Sequence, residues 1–324
     1  MTKHTFGSLF ILICIVLLLQ ACNKDNIEKY DSNEMALKLS DYNVYAGNPS
    51  DLIPEADYKL YELSSILFTD HAEKQRLVKI PVGTEIVTLG DGLMIFPEGT
   101  IIIKTFYFYN DKSAISKGKN IIETRLLIKS DNEWKVGTYK WNESQTDANL
   151  ITSGFDQTVN WVDDNGLANV ITYHIPSNTE CIACHQSNDE IIPIGTKTRN
   201  LNFDITVDGV TQNQLSYLHE EGVLNAMEPS SFSALPDFTN ADFSEEERAR
   251  AYLEMNCAHC HTAGGLADYK TPRFSYETVL SDSKIPEYKL DIIDKMETGA
   301  MPKAGTTILD EQGIEILRAY LNKL

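Results

Sequence analysis

The chain has 324 residues, 42% of them hydrophobic and 23% charged, with a formal net charge of −19. That length supports about two domains with a buried core, and the ordinary Gly and Pro content (18 and 11) excludes collagen, coiled coil and wholesale disorder. An acid excess of this size also excludes a nucleic-acid-binding protein, which needs clustered Lys and Arg.

At the N-terminus, Lys3 and His4 precede an unbroken apolar run from Leu9 to Leu19. The run is too short to span a bilayer, which takes about 20 residues, and it fits the apolar region of a signal peptide. It ends in Leu19-Gln20-Ala21-Cys22, which resembles the lipobox of bacterial lipoproteins. The resemblance implies a signal peptide over 1–21, lipidation of Cys22 and a membrane anchor. Asn23 in place of Asp is similar to the sorting signal for the outer membrane, so the expected location is that membrane's periplasmic face or the cell surface. Residues 22–38 are mostly polar and aperiodic, the pattern of a flexible tether.

Between Ala36 and Leu67 the sequence predicts a loop and a short helix, from Ala56, Leu60, Leu63 and Leu67 at spacings of three and four. From there to Ile175, β signals dominate. Thr100 to Tyr109 and Ile121 to Lys129 are β-branched and aromatic, and Trp134, Val136 and Thr138 alternate with Lys135, Gly137 and Tyr139. Asp163-Asp164-Asn165-Gly166 predicts a hairpin turn. Close spacing without intervening long helices predicts an antiparallel sheet.

After Pro176, Cys181 to His185 reads as a loop, Asp208-Gly209 as a small hairpin, and Gln212 to Ala226 as a helix. Glu228 to Phe243 reads as an interdomain linker. Ser244 and Glu247 form a capping box that opens a helix running into Cys257, and Asp310 caps a terminal helix. The expected fold class is α+β, with a β-rich domain over 39–235 and an all-α domain over 236–324.

The sequence Cys-x-x-Cys-His occurs twice, at Cys181/Cys184/His185 and at Cys257/Cys260/His261. Two thiols at this spacing can form thioethers with the two vinyl groups of haem, and the adjacent imidazole can then reach the iron. Three other chemistries compete. A disulfide within each pair closes a loop too small to matter entropically, and thioredoxin-like redox chemistry wants a βαβ context. A four-cysteine zinc ribbon sets its pairs about 15–20 residues apart, far closer than here. Two covalently attached c-type haems, with His185 and His261 as iron ligands, are therefore expected. Cys14 would leave with the signal peptide.

From Asp242 to Leu324 the chain resembles a class-I-like cytochrome c domain, on its helix, attachment motif, irregular loop and terminal helix. That resemblance implies His261 as proximal ligand and Met301, in Gly299-Ala300-Met301-Pro302, as distal ligand. Met296 reads as core, and His259 as exposed. For the first haem the sixth position is open or filled by Met227, His219 or His174. The segment from Phe96 to Lys104, Leu126 to Lys129 and Trp134 to Tyr139, followed by Cys-x-x-Cys-His, is similar to lysine-cross-linked c-type haem proteins that oxidise hydroxylamine. Lys104 and Lys129 are equal candidates for such a lysine, and the alternating pattern alone puts Lys104 on a polar strand face. Stretches such as Leu39 to Tyr42, Glu123 to Leu126 and Asn200 to Asn202 also resemble a largely uncharacterised family of exported dihaem cytochrome c-like proteins.

The expected role is electron transfer with a redox protein, which the acidic surface would favour if that partner is basic. Two further roles compete: a haem enzyme acting on peroxide, a nitrogen oxide or hydroxylamine at an open first haem, and a β domain that binds a ligand while the haems only sense or stabilise.

Overall fold

The computed structural model describes residues 35–324. The signal sequence, Cys14, Cys22 and most of the expected tether lie outside the described residues. The end of the tether does not: Met35 is buried in a core, and Leu150 donates its N–H to the Leu37 carbonyl at 2.9 Å.

Six strands form an antiparallel meander in chain order: β1 (Lys59–Leu60), β2 (Glu73–Lys79), β3 (Ile101–Tyr109), β4 (Lys119–Ser130), β5 (Glu133–Trp141) and β6 (Ala148–Ile151). Alternation along each strand sends neighbouring side chains to opposite faces, and both faces are covered. On one, Ile103, Leu126, Tyr139 and Trp141 pack against Leu39, Val44, Leu52 and Tyr58. On the other, Phe106 and Phe108 pack against Val159, Ile171 and Tyr173 of a second hairpin, β7 (Phe155–Val162) and β8 (Ala168–Ile175). Its turn is the expected Asp-Asp-Asn-Gly, closed by Asp163 accepting from the Leu167 N–H at 3.0 Å.

The helix expected across Ala56 to Leu67 does not form. Lys59 and Leu60 pair with β2, and the hydroxyls of Ser64 and Ser65 donate to the carbonyls of Leu235 and Pro236, both at 2.7 Å. Serine hydroxyls compete with helical backbone bonds in this way.

The helices are α1 (Asn178–His185), α2 (Gln214–Glu220), α3 (Glu245–Asn256), α4 (Ile285–Glu297) and α5 (Glu311–Leu321), with two single-turn helices at Thr198–Leu201 and Leu280–Ser283. Two short hairpins lie among them, β9 (Gln186–Ser187) with β10 (Glu190–Ile191), and β11 (Asp204–Val207) with β12 (Val210–Asn213). α3, α4 and α5 share a core that includes Leu253, Ile292, Met296, Ile314 and Leu317. α3 and α5 approach so closely that a Cβ on Gly313 would stand 2.3 Å from the Tyr252 ring.

The region expected to be a linker is packed rather than free. Leu235 and Phe238 enter the helical core, and Asn202 Nδ2 bonds the carbonyls of Pro229 and Phe232 at 3.0 Å each. The fold is α+β, and among the described residues the sheet and the C-terminal helices belong to one compact unit.

Candidate haem attachment site

The first motif lies in α1, not in the expected loop. Ser177 caps the helix and Glu180 completes a capping box: the Ser177 N–H donates to Glu180 Oε2 at 2.8 Å. Glu180 also holds His174, whose Nε2 lies 3.1 Å from Oε1, while His174 Nδ1 lies 2.6 Å from Asp156 Oδ1. The helix is thereby clamped to the β7–β8 hairpin. Cys181 is buried against β5, its sulfur 3.6 Å from Thr138 Oγ1.

His185 ends α1, and its Nδ1 lies 2.7 Å from the Ile192 carbonyl. A carbonyl can only accept, so Nδ1 carries the proton and Nε2 keeps its lone pair. Burial pushes the His185 pKa down to about 4, and the charges of Lys104, His259 and Arg125 press the same way. A neutral imidazole with its orientation fixed by a backbone carbonyl is what iron ligation requires.

The second motif leaves the end of α3 in a tight turn. Cys257 and Ala258 both donate to the Leu253 carbonyl at 3.0 Å, and His261 donates its N–H to the Cys257 carbonyl at 3.0 Å. Asn256 ties the turn to the sheet-bearing part by accepting from the Phe68 N–H at 2.8 Å. The His261 ring stands 5.2 Å from Phe274, edge to face, and its Nδ1 is buried without a well-aligned hydrogen bond. Burial lowers its pKa, and the nearby Pro272 carbonyl partly opposes the shift.

The fold brings the two motifs together. Ligand atoms of Cys184, His259 and Cys260 all lie within 4.8 Å of one another. The Asn188 N–H donates to the Gly264 carbonyl at 2.8 Å, so the hairpin after the first motif pairs with the loop after the second. The hydrogen bond to Cys260 pushes the Cys184 thiol up to about 12 and lowers that of Cys260. Burial raises Cys181, and it raises Cys257 to about 12. All four thiols are free. His259 is not the exposed residue expected from its place in the motif: it is half-buried and its Nδ1 has no partner.

Cys184, His259 and Cys260 alone have the composition of a soft-metal site. That arrangement would leave Cys181, Cys257 and the imidazoles of His185 and His261 without a role. Covalent haem uses them all, and four free thiols beside two imidazoles whose burial lowers their pKa fit it.

Met301 is half-buried in the loop between α4 and α5, its N–H bonded to the Lys295 carbonyl at 3.1 Å. Met296 is core, as expected. Two of the three candidates for the first haem's sixth ligand are engaged elsewhere: both His174 nitrogens face carboxylates, and Met227 meets Thr88. Exposed His219 directs Nδ1 to the Leu224 carbonyl at 3.0 Å, which leaves its Nε2 free. Lys129 bonds the Asn132 carbonyl at 2.8 Å in the β4–β5 turn. Lys104, expected on a polar face, instead lies among the charges around His185.

Residues 244–321 match the family described as cytochrome C oxidase, cbb3-type, subunit III. No curated protein and no solved structure matches the chain. The C-terminal part is cytochrome c-like, and a domain of that kind holds haem iron covalently and serves electron transfer.

Proposed function

We propose that the chain is an exported, lipid-anchored dihaem c-type cytochrome that passes electrons between its two haems and a partner. The observation that carries this reading is the meeting of both Cys-x-x-Cys-His motifs at Cys184, His259 and Cys260. A bound c-type haem supplies an iron that takes up and releases one electron at a potential set by its axial ligands.

The protein's own groups do the rest. Cys181 and Cys184 hold one haem, and Cys257 and Cys260 the other. His185 offers Nε2 because its Nδ1–H donates to the Ile192 carbonyl. His261 stands half-buried against the Phe274 ring. Met301 supplies the thioether on the second haem, in keeping with the cytochrome c-like match that covers it. Cys22 carries the lipid, at the outer membrane's periplasmic face or the cell surface. The acid excess of the chain suits a redox partner with a basic face.

A second reading draws on the other engagements of His174 and Met227. With those two held elsewhere and exposed His219 turned to solvent, the first haem's sixth position would be open, and the protein would act on a small molecule such as peroxide, a nitrogen oxide or hydroxylamine. Carbon monoxide added to the reduced protein separates the two. An electron carrier leaves the spectrum unchanged, whereas one equivalent bound per chain replaces the carrier with the enzyme. Met301→Ala should lower the potential of the second haem and let it bind carbon monoxide; unchanged spectra and potential would remove Met301 as ligand.

A further inference from the structure

One row of side chains crosses the covered face of the sheet beneath the first motif. Arg76, Lys104, Arg125 and Thr138 are successive cross-strand partners on β2, β3, β4 and β5. Directly opposed residues share a face, and Thr138 meets Cys181, so this face looks toward α1. Three cations thus stand side by side in a protein whose net charge is −19.

Two of them are neutralised. Arg76 Nη1 lies 2.7 Å from Glu62 Oε2. Arg125 makes a two-pronged pair with Glu123, at 2.8 and 2.5 Å, and Glu123 in turn accepts from the Tyr173 hydroxyl at 2.8 Å. Lys104 is the exception. Among the described residues it has no hydrogen-bonded or ion-paired partner, and its Nζ lies 5.0 Å from the centre of the Phe106 ring. The Arg125 guanidinium occupies the same ring at 4.3 Å. Neighbouring Lys74, on β2, adds another cation and spends its ammonium on the Leu67 carbonyl at 2.9 Å.

Lys104 is half-buried, and an ammonium flanked by like charges is disfavoured unless a negative charge meets it. The sequence has 47 acidic residues, yet the two carboxylates that meet this row, Glu62 and Glu123, pair with the arginines and leave Lys104 without one. Local rules broken in this way mark functional positions.

We infer that Lys104, between Arg76 and Arg125, forms an anion site at the first attachment motif that takes a single carboxylate or small oxyanion. The carboxylate has two possible sources, a propionate of the haem held by Cys181 and Cys184 or a free anion from solution. The first source rests on the two-haem reading; the site itself rests on the charges of the sheet.

The test uses the purified, haem-loaded protein as wild type, Lys104→Met and Lys104→Arg, with sodium formate as probe. Haem is counted in every sample, so that a failure of the two-haem reading shows up separately as a wild-type count other than two. If the anion is free, formate raises the melting temperature of wild type and Lys104→Arg, and its apparent affinity falls at least tenfold in Lys104→Met. If the anion is a propionate, formate is silent in all three. Lys104→Met then lowers the midpoint potential of one haem, because loss of a cation favours the oxidised iron, and Lys104→Arg retains it. Identical formate responses and potentials in wild type and Lys104→Met overturn the site. So does a haem peptide whose mass shows Lys104 bonded to haem, since that nitrogen would no longer be a free ammonium.

Discussion

Asp70 is 1% exposed and accepts from both the N–H and the hydroxyl of Thr307, each at 2.8 Å to Oδ2. It joins the entry to β2 with the loop that follows Met301. Burial raises its pKa even though these bonds favour the anion. A carboxyl raised in the folded state binds its proton more tightly than in the unfolded chain. Stability attributable to Asp70 is therefore greatest at low pH and falls as pH rises from 3.8 through the raised value. Removing the carboxyl strands the Thr307 donors, so Asp70→Ala should cost about 1–3 kcal/mol at neutral pH. An unchanged urea midpoint would deny the anchor. Gly313 is a second residue whose chemistry is all steric: a Cβ there meets the Tyr252 ring and hydroxyl at 2.3 Å. Gly313→Ala should lower stability by about 1–3 kcal/mol through overpacking, and a melting temperature equal to wild type would show that the helices can part freely.

Among the elements, α1 depends on a clamp that can be titrated. The hydrogen bond to Asp156, with help from Glu180, raises the His174 pKa above 6.5. A histidine raised in the folded state contributes stability that is fully present below its unfolded pKa and is lost as pH climbs through the folded value. His174→Gln should therefore lower the melting temperature at about pH 5.5 and change it little at about pH 8.5. An equal loss at both values would mean that packing, not charge, holds the hairpin to α1. Much of the element order was legible in sequence because β3 and β4 carry β-branched runs of strand length, because β5 alternates, and because Ser244 and Asp310 are strong caps. The box at Ser177 and Glu180 has the same spacing as that at Ser244 and Glu247 and was equally available, but the helix it opens is only 8 residues long, against 12 after Ser244. The apolar spacing from Ala56 to Leu67 misleads because partners far along the chain, Leu235 and Pro236, claim the serine hydroxyls. Alternation also could not place Lys104. It separates two faces of a strand, but when both are covered it does not say which polar residue looks at solvent.

At the scale of the molecule, the contact of Cys184 with His259 and Cys260 is the feature that sequence could not supply, because it joins segments far apart in the chain through the fold of everything between them. The individual motifs needed only their spacing. The net charge of −19 bears on encounter: association with a basic redox partner should slow as ionic strength rises, measured by stopped flow, and a salt-independent rate would take the acid excess out of recognition. The central claim is that four cysteines, Cys181, Cys184, Cys257 and Cys260, hold two haems. Counting haem by the pyridine haemochrome against protein concentration, with metal analysis of the same sample, tests it most directly. The account predicts two covalently bound haems and two iron atoms per chain; a count of one or none, or zinc in place of iron, would contradict it.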